Sequence, residues 1–151
     1  MATYDDPIRE VYYVPSAAFG ATTDNTKLIG PKGRKGYVRD IIVILTADAV
    51  GTTTVPEIAV GTGAGDASYA RFRLGTSATA GVTAANSPHR AAQVGGNTLM
   101  DGTPVYEDFT GHVKMATAPI PVDTAFTISR VAGTGGTPAG TGSTYVVVDW
   151  F

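Results

Sequence analysis

Apolar and polar positions alternate with a period of two along much of this chain, and in two places the alternation gives way to apolar residues on both faces. The first is Gly36-Tyr37-Val38-Arg39-Asp40-Ile41-Ile42-Val43-Ile44-Leu45-Thr46, the longest β-branched stretch, free of internal Gly or Pro. Val and Ile lose rotamer freedom in a helix and pack well on a pleated surface, so the stretch predicts a strand. Its first half places Val38 and Ile42 on one face and Arg39 on the other. From Ile41 to Leu45 both faces are apolar, which calls for cover on both sides by a second sheet, a loop or another subunit. The second place is Thr144–Phe151, with Tyr145, Val147 and Phe151 on one face and Val146, Val148 and Trp150 on the other. Such a ribbon is either a central sandwich strand with one face under a loop, or an oligomer contact.

Taken in order, residues 1–9 read as an acidic arm, and Glu10–Val14 as a short strand stopped by Pro15. Residues 16–26 are small and polar and predict a loop or an extended connection; Lys27–Ile29 is a brief apolar piece. Gly30–Gly36 predicts a turn with a basic tip of Lys32, Arg34 and Lys35. Ala47–Thr54 reads as a connection, and Val55–Val60 as a strand with Pro56 at its start. Gly61–Asp66 reads as a Gly-rich loop. Ser68–Leu74 alternates, with Tyr69, Arg71 and Arg73 on one face and Ala70, Phe72 and Leu74 on the other.

Gly75–Asn97 reads as a surface loop with room for a turn or two of helix, and Val105–Met115 as a short hairpin across Thr110-Gly111. Pro119–Val122 is extended. In Thr124–Val131, Phe126 and Ile128 point inward and Thr127 and Ser129 outward, and residues 133–143 read as a flexible loop. Roughly seven or eight strands separated by turn signals predict an all-β fold: an antiparallel β-sandwich, jelly-roll-like, with an extended N-terminal arm. The expected organisation is residues 1–20 as arm and first short strand, and 21–151 as a single sandwich domain.

Composition narrows the function classes. The 151 residues suit one domain, and 19 Gly with 9 Pro favour turns over long helices. Only 16% of residues are charged, as expected of a surface largely covered by partners. A net charge of -2 provides no global field for nucleic acid or membrane. With no cysteine there are no disulfides, thiolate metal sites or Cys nucleophiles. The opening Met-Ala-Thr-Tyr-Asp-Asp lacks the apolar run of a signal peptide, so an intracellularly made, soluble protein is expected.

Candidate chemistry is sparse. Gly61–Asp66 follows a strand as a dinucleotide loop would, yet Asp66 stands where the third Gly belongs and the next segment alternates as a strand, so a plain connecting loop is expected. His112 with Asp108 suggests half of a triad, but no Gly-x-Ser-x-Gly elbow presents a serine; His89 and His112 read as ordinary surface or interface residues. The carboxylates lack the spacing of a calcium loop. No catalytic residue, cofactor or metal is expected. Lys32, Arg34 and Lys35 fit a protein contact or plain solubility, since nucleic-acid binding needs a broader basic face with stacking aromatics.

The segments Ile29-Gly30-Pro31-Lys32-Gly33-Arg34-Lys35-Gly36 with Val38-Arg39-Asp40-Ile41, then Pro56–Thr62, Tyr69-Ala70 and Leu74-Gly75-Thr76, resemble small β-rich virion proteins of tailed bacteriophages. So does Gly135–Gly140 ahead of Tyr145–Phe151. The resemblance implies a capsid cement (decoration) subunit in the virion, assembled in the host cytoplasm. It further implies a sandwich or jelly roll that trimerises and staples neighbouring major capsid protein subunits, with no catalytic residues. The contacts expected of it are Tyr12, Tyr13, Lys32, Arg34, Lys35, Tyr145, Val147, Trp150 and Phe151. The alternative is a tail or head-fibre component with a carbohydrate-binding β-sandwich, for which Tyr69, Arg71 and Arg73 are the candidate face. A small hydrolase is the third class, and lacks an activated nucleophile.

Overall fold

The two doubly apolar ribbons lie side by side in one sheet. The computed structural model describes residues 7–19, 24–77, 80–81, 83–91, 113–115 and 118–151. Its strands are β1 (Ile8–Ala18), β2 (Asp24–Ile29), β3 (Gly36–Val50), β4 (Glu57–Gly61), β5 (Ala70–Arg73), β6 (Gly75–Ser77), β7 (Ala80–Gly81), β8 (His89–Arg90), β9 (Val113–Met115), β10 (Ala125–Val131) and β11 (Ala139–Trp150). A short 3-10 turn spans Ala84–Asn86. One sheet runs β1-β11-β3-β8 and the other β2-β10-β4-β5-β9, and all the pairings are antiparallel. This is an antiparallel all-β sandwich, as the alternation predicted.

The core lies between the inner faces. Val38, Ile41, Val43, Leu45, Val146, Val148 and Trp150 from the first sheet meet Ile58, Val60, Phe72, Phe126 and Ile128 from the second. Large aliphatic side chains contribute roughly 1.5–3 kcal/mol each when buried, so this layer dominates the folding energy. Trp150 is 1% exposed and stacks near Phe126 and Tyr12. Its indole fills the space beside Gly30 and Gly36, and a Cβ on Gly36 would lie 2.6 Å from the ring. These two glycines are therefore required by close packing; among the turn glycines of Gly30–Gly36, Gly33 carries the positive φ, at 76°.

Several local expectations are corrected. The first strand does not stop at Pro15: β1 continues to Ala18 along β11, with an irregularity between Val14 and Ala17. An edge strand tolerates Pro because one row of its backbone groups has no ladder to complete. Residues 8 and 9, assigned to the arm, already pair with Trp150 and Asp149. Residues 1–6 lie outside the described residues. Val38 and Ile42 do not share a face. The register steps from Val147↔Asp40 to Val148↔Val38, leaving Arg39 as an extra residue. Such a bulge reverses the alternation, so Val38 joins Ile41 and Val43 inside while Ile42 turns outward.

Residues 139–143 belong to β11, not to a loop, and the turn is confined to residues before Ala139, with positive φ at Gly135 and Gly136. Thr127 and Ser129 face outward from β10 but are buried. The Gly61–Asp66 loop folds back over Ser129, its Gly65 N–H donating to Ser129 Oγ at 3.0 Å. The stretch around Pro88 is no surface loop throughout, since His89 and Arg90 pair with Val43 and Ile42. Of the hairpin expected over 105–115, only Val113–Met115 is described, and it pairs with β5.

Candidate interaction surface

The outer face of the β1-β11-β3-β8 sheet is the most distinctive surface among the described residues. Registers Tyr13↔Tyr145↔Ile42 and Val11↔Val147 line up an apolar belt across three strands, extended by Ile44. Val11 is 57% exposed, Tyr13 54% and Ile44 40%, while Ile42, Tyr145 and Val147 are half-buried among them. The rings of Tyr13 and Tyr145 lie 5.0 Å apart in a tilted contact. Alternation in β11 explains the belt: Val146, Val148 and Trp150 go to the core, so Tyr145 and Val147 must go out.

Charges rim the belt and are consumed in pairs. Arg9 donates to both Asp149 oxygens at 2.6 and 2.9 Å, and Arg39 Nε reaches Oδ2 at 3.0 Å. The Arg9 hydrogen bonds, with Arg39 assisting against the cost of burial, hold the Asp149 carboxyl below the usual carboxylate range. On the other flank Arg90 donates to Asp40 Oδ2 at 2.9 and 2.5 Å. The bulge at Arg39 makes this arrangement possible by turning both Arg39 and Asp40 toward the outer face. The result is an apolar strip whose bordering carboxylates, Asp149 and Asp40, are both paired, with the cations in excess because Arg9 and Arg39 share Asp149.

At one end of the strip, Lys35, Tyr37, Arg39 and Phe151 line a shallow hollow of about 530 Å³. Tyr37 and Phe151 meet edge to face at 5.8 Å, and Lys35 Nζ lies 5.9 Å from the Tyr37 ring centre. Lys35 and Phe151 are also tied by two backbone hydrogen bonds, at 3.1 and 3.0 Å.

Of the expected contact residues, Tyr13, Tyr145, Val147 and Phe151 lie on the outer face. Trp150 does not reach the surface; alternation sends it into its own core. Tyr12 also turns inward, edge to face with Phe126 at 5.2 Å, its hydroxyl on Glu10. Burial, reinforced by Glu10, pushes the Tyr12 phenol well above its ordinary value. The basic tip is dispersed: Lys32 is exposed, Arg34 Nη1 donates to the Trp150 carbonyl at 3.4 Å, and Lys35 turns toward Tyr37. Sequence reasoning missed Val11, Ile42, Ile44 and Tyr37. The signal for Val11 and Ile44 was their alternation with charged or buried neighbours; for Ile42 it was hidden by the bulge.

The other candidates resolve into structural roles. Asp66 accepts from Thr62 N at 2.7 Å, Thr62 Oγ1 at 2.9 Å and Ser68 Oγ at 2.6 Å, closing its loop ahead of a strand. These bonds, Ser68 first, hold its carboxyl down at about 2. Tyr69, expected beside Arg71 and Arg73 on an open face, is buried, and both arginines pair with Glu57. Tyr69 precedes β5, its N–H donating to the Val60 carbonyl at 2.9 Å, so strand alternation does not govern it. His89, expected at the surface, is buried with Nε2 2.9 Å from the Thr83 carbonyl oxygen. His112 and Asp108 lie outside the described residues. Among the described residues no three His, Asp or Glu side chains gather as a metal site would require, and no helix is long and apolar enough to cross a membrane.

No family model, curated protein or solved structure matches the chain. Its functional reading rests on its own residues and geometry.

Proposed function

We propose that this chain is a structural virion subunit of the capsid cement, or decoration, kind, which associates with itself and bridges neighbouring major capsid protein subunits. The observation that carries the reading is the outer belt of Val11, Tyr13, Ile42, Ile44, Tyr145 and Val147, aligned across three neighbouring strands. Monomeric soluble proteins rarely leave a contiguous apolar patch larger than a few hundred Å² uncovered. Aromatic and aliphatic residues bordered by ion-paired arginines and aspartates match the anatomy of a protein interface, with its apolar centre and polar rim.

The strand order supports a jelly-roll form of the sandwich. The chain alternates between sheets through β1, β2, β3 and β4, then crosses from β8 to β9 and from β10 back to β11. Double-sheet jelly rolls recur in viral capsid and lectin domains. The low charge fraction is a second support, and the work proposed is mechanical, with no reaction and no cofactor.

Capsids assembled with and without the protein test the reading under thermal and chelator challenge. The cement role predicts disruption at higher temperature or chelator concentration when the protein is bound. It further predicts that Tyr145→Asp or Val147→Asp weakens capsid binding while the protein still folds. Equal resistance of both capsids would overturn the role.

The carbohydrate-binding fibre reading keeps one specific support, the hollow of Lys35, Tyr37, Arg39 and Phe151, where aromatic faces stand beside cationic donors. Its outcome would be selective binding on a glycan array, lost in Tyr37→Ala, with host adsorption reduced and capsid stability unchanged.

A further inference from the structure

The free edge of β1 carries a more specific assignment. β1 is an outer strand of its sheet, and among the described residues no strand pairs with its far side. Exposed edges are normally shortened, bulged, interrupted by Pro or guarded by Lys. The other edges follow that rule: β8 is 2 residues long, β9 is 3, and β2 carries the exposed Lys27. β1 is 11 residues long, and its Pro15 and irregularity occur only after Val14. Ile8–Val14 keeps an unbroken register with β11 from Ile8↔Trp150 to Val14↔Thr144. That leaves about 23 Å of regular edge, at roughly 3.3 Å per residue, free of Pro, bulge and Lys, whose two charges, Arg9 and Glu10, are bonded to Asp149 and Tyr12 within the protomer.

We propose that this edge takes a second copy of the same chain, β1 against β1 in antiparallel register about a two-fold axis at Val11. The register follows from the span and from charge: Val11 is the midpoint of the unbroken Ile8–Val14 segment, so that centre pairs all of it. Centred on Val11, each Arg9 faces the second copy's Tyr13, and each Glu10 faces the second copy's Tyr12. A cation then meets an aromatic face and a carboxylate meets a phenol, both favourable pairings. Centring on Glu10 or Arg9 would set like charges directly opposite one another, which is destabilising. The two four-stranded sheets join into one, and the two outer belts become continuous, with Val11 and Tyr13 of both copies at the middle. A β1 contact of this kind is isologous and closes as a dimer. The inference takes the self-association of the cement reading and gives it two-fold symmetry in place of the trimer that the family resemblance implies.

The chain contains no cysteine, so a single introduced one reports its own neighbourhood. Residues opposite one another in an antiparallel pair have Cα atoms about 4.5–5.5 Å apart, within the reach of a disulfide. Full-length Val11→Cys, oxidised at micromolar concentration, is expected to give a covalent dimer, whereas Val147→Cys, one strand further in, is expected to stay uncrosslinked. Light scattering should report twice the chain mass for the parent protein and the single-chain mass for Val11→Lys, with the melting temperature of the variant held. A monomeric parent protein would overturn the inference. So would an oligomer that persists in Val11→Lys and does not crosslink through Val11→Cys; that result leaves self-association, and the cement reading with it, intact. Failure of the cement reading has a separate signature, equal stability of capsids with and without the protein.

Discussion

Trp150 shows how one residue sets requirements on distant ones. Its ring occupies the space where side chains of residues 30 and 36 would begin. Gly36→Ala therefore overpacks a closed core, and urea denaturation should show a loss of about 1–3 kcal/mol. Trp150→Ala removes the ring itself and should cost about 3–5 kcal/mol, read the same way. Asp66 sets a different kind of requirement. Its folded value of about 2 lies below the ordinary 3.8, so the stability that it contributes is full above roughly pH 4. That contribution is lost as pH falls from there through about 2. Asp66→Asn should lower stability at neutral pH and flatten the stability-against-pH curve in this window, as followed by denaturant titration at a series of pH values. Asp149 shifts in the same direction and adds to the same acid loss. The Trp150 and Asp149 effects were not readable from residue types alone, because Trp150 and its glycines, like Asp149 and Arg9, are far apart in the chain, whereas Asp66 is held by its near neighbours Thr62 and Ser68.

At the scale of the element, β11 has two faces with different obligations. Val148 is buried in the core and Val147 lies half-buried in the outer belt. Val148→Thr places a hydroxyl in an apolar layer and should cost about 1–3 kcal/mol of folding stability. Val147→Thr should stay within about 0.5 kcal/mol in the same thermal or urea melt. The division of β11 into two faces was legible from sequence, because simple counting holds along Tyr145–Trp150, but which face is buried was not: Trp150 was expected at the surface and lies in the core. In β3 counting fails at Arg39, where one extra residue exchanges the faces, and Ile42 lands outside. In β10 counting gave the correct face for Thr127 and Ser129 and the wrong burial; over Ser129 the cause is a separate loop. Strand ends were the other weak point: Pro15 and the Gly140–Gly142 run look like breakers, yet pairing with β11 and packing beside Ala49, Phe19 and Leu45 carry the strands through them.

For the whole molecule, the pattern of charge decides how it should associate. The acids that border the belt are satisfied within the protomer, Asp149 by Arg9 and Arg39 and Asp40 by Arg90. Contact through the belt and the β1 edge is then driven mainly by apolar burial and backbone pairing. Raising sodium chloride should leave the assembled mass unchanged, and sulfate should favour assembly, both followed by light scattering. An interface built on ion pairs would loosen with added chloride.

By itself, the order of residues determined that this chain forms strands, that two of them are apolar on both sides, and that a β-sandwich encloses them. Those outcomes depend on local preferences and a two-residue period, which are properties of neighbours in the chain. Only the folded arrangement decided which apolar face stays dry. A bulge, a covering loop and the pairing of β1 with β11 are settled by contacts between residues far apart in sequence. The same long-range contacts took Trp150 and Tyr12 from the expected surface into the core, and left Val11, Tyr13, Tyr145 and Val147 outside.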